Sequence, residues 1–130
     1  VNDRPSAPEL LGAVGRFLER DALPRLDGPA RFHARVAAHV VAMVARELEA
    51  EESHLSAEWQ RLGELLERPE PPPASRQALR DAVRERSQAL CERIRAGAAD
   101  GGPWRERVLD HLRRTVDDKL AVARGPRRGD

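Results

Sequence analysis

Residues 31–48 read RFHARVAAHVVAMVAREL, with no glycine, proline, asparagine or aspartate to turn the chain. Phe32, Val36, Val40, Met43, Val44 and Leu48 recur at helical spacing, and Pro29 sits where the first turn of a helix tolerates it. The other sides between 36 and 45 are Ala37, Ala38, Val41, Ala42 and Ala45, so the helix is apolar nearly all round. Such a helix is either the central, multiply contacted member of its fold or lines a subunit interface. The spacing predicts a helix over about 29–52, and both placements, bundle centre and homodimer face, stay open.

Working outward, Ser6 and Glu9 form a Ser-x-x-Glu capping box before Leu10, Leu11, Val14, Phe17 and Leu18. This predicts a helix over roughly 7–23, ended or kinked by Pro24. Leu55, Trp59, Leu62 and Leu66 predict a shorter helix, about 56–67, before the stiff run Pro69-Glu70-Pro71-Pro72-Pro73. Ser75 caps a predicted helix over about 75–96, with Leu79, Val83, Leu90 and Ile94 on its stripe and Gly97 as its stop. Pro103 opens another, about 103–123, carrying Trp104, Val108, Leu109, Leu112, Val116 and Leu120.

No stretch alternates apolar and polar residues with the period of two that a half-buried strand requires. The fold class is all-α, and an antiparallel bundle of four to five helices with helix two central is the simplest packing. A chain of 130 residues suits a single domain, taken here as 1–123 with a mobile tail at 124–130 that has no apolar anchor.

Composition removes several functions. Charged residues are 35% of the chain but the formal net charge is +1, so no global field draws it to nucleic acid or lipid. Twenty-two arginines against one lysine, Lys119, look like the codon usage of a high-GC bacterial genome, which leaves arginine density a weak phosphate signal. Acids interleave with these arginines, so no nucleic-acid partner is expected. The longest uncharged run, Val36 to Ala45, is about half the length that spans a bilayer, and no membrane partner is expected. The start of the chain lacks an apolar stretch behind a basic one, and the one cysteine, Cys91, cannot build a disulfide framework. A cytoplasmic location follows as an expectation.

Chemistry is sought where polar residues interrupt apolar stripes, because a buried unpaired charge is costly. At about 100° per residue Glu47 lies about 20° from Val36 and Val40, and Lys119 falls between Val108 and Leu112. The two are expected to meet across the interface of helices two and five, either as a structural ion pair or in a polar pocket that lowers the lysine pKa. His33 and His39 flank the Glu47 stripe and complete the candidate polar cluster. No metal and no cofactor are expected. Glu51 and His54 make one Glu-x-x-His, where a di-iron bundle needs two, and one cysteine makes no zinc site. Gly97, Gly101 and Gly102 follow a predicted helix rather than a strand, so they form no phosphate loop.

The segments Arg4-Pro5-Ser6-Ala7-Pro8-Glu9-Leu10-Leu11, Arg31 to Ala38, Arg46-Glu47-Leu48, and His111-Leu112-Arg113 with Thr115-Val116 and Lys119 to Val122 carry a further signal. Together they resemble a family of small helical bacterial proteins, a domain of unknown function. The resemblance implies a gene beside, or fused to, an aminoglycoside-phosphotransferase-like kinase and near acyl-CoA dehydrogenases. The family has Asn where His39 stands here. Two functions are carried forward: a non-enzymatic accessory or interaction module for a phosphotransferase-like or acyl-CoA dehydrogenase partner, and a small-molecule binder or enzyme using the polar cluster.

Overall fold

The computed structural model describes residues 4–125. Those residues are all-helical, with four α-helices and no strand: α1 (Ala7–Phe17), α2 (Gly28–Leu65), α3 (Arg76–Arg95) and α4 (Pro103–Arg124). Residues 126–130 of the expected tail lie outside the described residues, while Arg124 closes α4.

The capping box forms as expected: Ser6 N–H donates to Glu9 Oε2 at 2.7 Å and Glu9 N–H to Ser6 Oγ at 3.4 Å. The α-helical pattern stops at Phe17 and widens into a π-turn, Leu18–Ala22, then tightens into a short 3-10 turn, Leu23–Arg25. Pro24 explains this, since it has no N–H to donate and its ring crowds the carbonyl one turn back.

The largest departure from expectation is at residues 53–55, where two helices were predicted to part and α2 instead runs unbroken for 38 residues. Ser53, His54 and Leu55 include neither Gly nor Pro, so nothing there disrupts the hydrogen-bond ladder. α2 ends in a Schellman turn, with Arg68 N–H donating to Gly63 O at 2.9 Å and Glu67 at φ 55°. α3 ends the same way with a glycine: Ala98 N–H reaches Arg93 O at 3.1 Å and Gly97 has φ 93°.

Contacts divide the chain into two compact units, one formed by Val1–Ala50 with Leu120–Asp130 and the other by Glu51–Lys119. The second holds the core: Trp59, Leu62 and Leu65 from α2, Leu79, Val83 and Leu90 from α3, and Val108 from α4. Ser75 caps α3 as expected, its Oγ accepting from Ala78 N–H at 3.1 Å. Only part of the expected stripe of α4 is buried: Val108 lies in the core and Trp104 packs against it, whereas Leu112 and Val116 face outward and His111 is buried instead.

The first unit is built differently. α1 touches α2 where Gly15 approaches Val41, and Arg46 of α2 caps α4 by donating from Nε to Val122 O at 2.8 Å and from Nη2 to Ala123 O at 3.2 Å. Yet Ala38 is the only fully buried residue described in this unit. Burial of helix two on all its sides is not found: Val36, Val40 and Val44 are 46%, 44% and 37% exposed.

Candidate functional site

The densest polar constellation lies in the second unit, on a seam between α2 and α4. Helical spacing puts His54, Glu58 and Arg61 on one side of α2, and His111, Thr115 and Asp118 on one side of α4. Arg61 joins the two rows. Its Nε donates to His111 Nδ1 at 3.4 Å, its Nη2 donates to Thr115 Oγ1 at 3.4 Å, and the same Nη2 lies 3.6 Å from Asp118 Oδ2. His54 Nε2 stands 3.8 Å from Asp118 Oδ1, and Thr115 Oγ1 donates back to His111 O at 3.0 Å. Beside this seam opens a cleft of about 300 Å³ lined by Arg61, Glu64, Arg107, Asp110, His111 and Arg114 among others.

Two groups in the seam titrate abnormally. Burial pushes the Glu58 carboxyl above its ordinary range, against the opposing pull of Arg61 and Lys119. Burial also holds His111 below the usual histidine pKa, and the nearby Arg61 charge adds to the effect. A neutral imidazole that accepts at Nδ1 carries its proton on Nε2. The His111 lone pair is therefore occupied by Arg61 and is not open to a substrate proton. In the same unit Arg80 forks onto Glu51, with Nη2 at 2.6 Å from Oε2, and this pair holds the Glu51 carboxyl below the ordinary range.

A second constellation surrounds Arg86 on α3, which is 0% exposed. Its guanidinium carbon lies 3.3 Å from the centroid of the Trp59 ring. Nη1 donates to Trp59 O at 3.3 Å, and Nη2 donates to Arg68 O at 3.0 Å and Glu70 Oε2 at 3.1 Å. Nε finds no partner among the described residues. Trp59 Nε1 donates to Glu70 O at 3.1 Å, so the segment after α2 is irregular but tied down at its start. Gly63 is needed here because a Cβ would stand 2.8 Å from Arg86 Nη1 and 3.1 Å from Arg68 O. A groove of about 480 Å³ runs past Trp59, Arg86 and Pro72.

The residues singled out from sequence lie elsewhere. His33, His39 and Glu47 are exposed on the first half of α2, in the first unit, and Lys119 is exposed on α4 as the last residue of the second. The cost of burying a lone charge, which motivated the pairing of Glu47 with Lys119, applies to neither side chain. Within the second unit the carboxyl that feels the Lys119 charge is Glu58. Cys91 is a free, exposed thiol. Among the described residues no group of three or more His, Cys, Asp or Glu is placed to hold a metal, and no helix is long and apolar enough to cross a membrane.

Sequence reasoning missed Arg86, Arg61, Glu58 and His111. Arg86 carried a usable signal, for it lies within about 60° of Leu79, Val83 and Leu90 on the α3 helical wheel, so a charge occupies a slot of the apolar stripe. His111 carried a weaker one, lying about 20° from Trp104 and about 60° from Val108, because the apolar stripe read for α4 centres near Leu112, rotated away from the buried side.

Residues 24–127 match a protein family described as a domain of unknown function, DUF6285. No curated protein and no solved structure matches the chain.

Proposed function

We propose that this chain, which belongs to the DUF6285 family, is a non-catalytic interaction module. In this reading it works in the bacterial cytoplasm with a phosphotransferase-like or acyl-CoA dehydrogenase partner. The observation that carries the reading is the outward apolar face of α1, where Leu10, Val14 and Phe17 are 53%, 48% and 58% exposed. These three lie within about 60° of one another on the helix, and a contiguous apolar stripe on a surface marks a contact site. The seam in the second unit supports the absence of catalysis. His111, Thr115, Asp118 and Arg61 already bond to one another, so none is poised for a reacting group. Those opposed pairings, His54 with Asp118 and Arg61 with His111, also support the antiparallel packing expected of a bundle.

The test is co-expression with a phosphotransferase-like kinase and with an acyl-CoA dehydrogenase from the same genome, each followed by affinity purification. One of the two should co-purify with the wild-type chain and be lost with Leu10→Glu/Phe17→Glu. Failure of both to bind, or binding indifferent to that double variant, overturns the reading.

The second reading, a small-molecule binder, is favoured by the cleft beside His111, where Arg61, Arg107 and Arg114 alternate with Glu64, Glu106 and Asp110. Arg61 is held by His111 and Thr115 and Arg114 by Asp110, which leaves Arg107 as the guanidinium that suits a small carboxylate or phosphate. Calorimetric titration with acetyl phosphate and with a short acyl-CoA tests it, and heat lost on Arg107→Ala would support it.

A further inference from the structure

The exposed side of α2 has a symmetry that α1 lacks. Taking Val40 as origin and about 100° per residue, Val36 and Val44 lie about 40° to either side, and His33 and Glu47 about 20° to either side. His33 and Glu47 are also equidistant from Val40 along the chain, seven residues each way. Every one of these five residues is exposed. The arginines of this half of the helix keep off the stripe: Arg31, Arg35 and Arg46 all stand more than about 100° from Val40. In a chain with twenty-two arginines, an arginine-free apolar row ending in an imidazole on one side and a carboxylate on the other is self-complementary.

We infer that a second copy of this chain covers the row, with the two α2 helices crossing antiparallel about a two-fold axis at Val40. Val40 then meets its own copy, Val36 faces Val44, and the His33 imidazole N–H donates to the Glu47 carboxylate at both ends. An isologous contact requires that residue i facing j also means j facing i, and the spacing satisfies this without adjustment. A heterologous partner would gain nothing from such symmetry. The first unit gives the contact a physical reason, since Ala38 is its only fully buried described residue and a helix must bury its apolar face against something. This assignment rests on reading the chain as an interaction module, and it leaves the α1 face to the other partner.

Sedimentation velocity on the full chain tests it. The wild type should sediment as a dimer at tens of micromolar, and Val40→Glu, which sets two carboxylates on the axis, should be monomeric with unchanged helix content. Glu47→Lys and His33→Glu should each weaken the dimer at least tenfold, and the charge-swapped double variant His33→Glu/Glu47→Lys should restore it to within about threefold. In a Cys91→Ser background, Val40→Cys should form a disulfide-linked dimer on oxidation and Val36→Cys should not. A monomeric wild type at 200 μM, a dimer untouched by Val40→Glu, or a swap that fails to rescue overturns the inference. The two readings separate cleanly: a monomeric chain that still co-purifies its partner through Leu10 and Phe17 sinks the dimer alone, whereas a dimer that captures no partner sinks the accessory role alone.

Discussion

Replacing Arg86 by methionine removes a guanidinium while keeping most of the buried stem. The wild-type group donates to two main-chain carbonyls, Trp59 O and Arg68 O, at 3.3 and 3.0 Å, and stacks on Trp59. Hydrogen bonds from a charged donor contribute about 1.5–3 kcal/mol each, and the long distances place these two near the lower end, about 3–4 kcal/mol together. A desolvated cation over an indole adds about 2 kcal/mol. The bridge to Glu70 adds little, for that carboxylate is 61% exposed and screened. Against these stands the burial of a charge with one unpartnered N–H, a cost of a few kcal/mol. The net loss is about 2–4 kcal/mol, and for a unit of this size each kcal/mol moves the midpoint by about 4–8 °C. Scanning calorimetry should therefore show Arg86→Met melting roughly 8–30 °C below wild type. Endoproteinase Glu-C should also cut after Glu67 earlier in the variant, because the segment following α2 loses an anchor. A variant that melts within about 3 °C of wild type, or above it, would refute the reasoning by showing that the cost of burying the charge equals or exceeds what its bonds contribute.

Gly63→Ala places a methyl against Arg86 Nη1 and Arg68 O and should cost about 1–3 kcal/mol, read as a lower calorimetric midpoint. Glu67→Gly should raise the midpoint, by about 1 kcal/mol of relieved backbone strain, because Glu67 holds the left-handed position that Gly97 occupies after α3. His111→Asn should flatten the stability profile between about pH 7 and 5. The folded-state pKa of His111 lies below the unfolded value of about 6.5, so the unfolded chain takes up the proton first and wild-type stability falls as pH drops through that window. The further loss below about pH 4.5, where Glu51 gives up its bond to Arg80, should persist in that variant.

Element type was legible in the sequence because capping boxes, proline punctuation and the 3.6 period are local signals. Ser6, Ser75 and Pro103 act at helix starts as their neighbours dictate. The break at residues 53–55 was misread for a physical reason: the apolar stripe changes phase there, which marks a change of packing partner and not a loss of hydrogen bonding. Facing was less legible. On α4 the stripe of Leu112, Val116 and Leu120 is as apolar as any, but the seam of His111, Thr115 and Asp118 turns inward because Arg61 and His54 supply its partners from α2. A polar row becomes a packing surface only when a distant segment carries the complementary row, and that information is not local. The same limit explains Glu47, whose place on an apolar stripe was correctly computed but whose stripe faces outward.

Both indoles, Trp59 and Trp104, belong to the second unit, and the chain has no tyrosine. Emission excited at the red edge of the indole band, beyond the weak absorption of Phe17 and Phe32, therefore reports on one half of the protein and is blind to the other. Trp59 lies beneath a guanidinium and Trp104 donates to Leu65 O at 3.0 Å, so both chromophores register the loss of that core directly. Backbone ellipticity counts every peptide of both units. Wherever an ellipticity trace departs from an emission trace, the difference belongs to α1, the first half of α2 and the end of α4, which makes the unit without an indole measurable by subtraction without introducing a label.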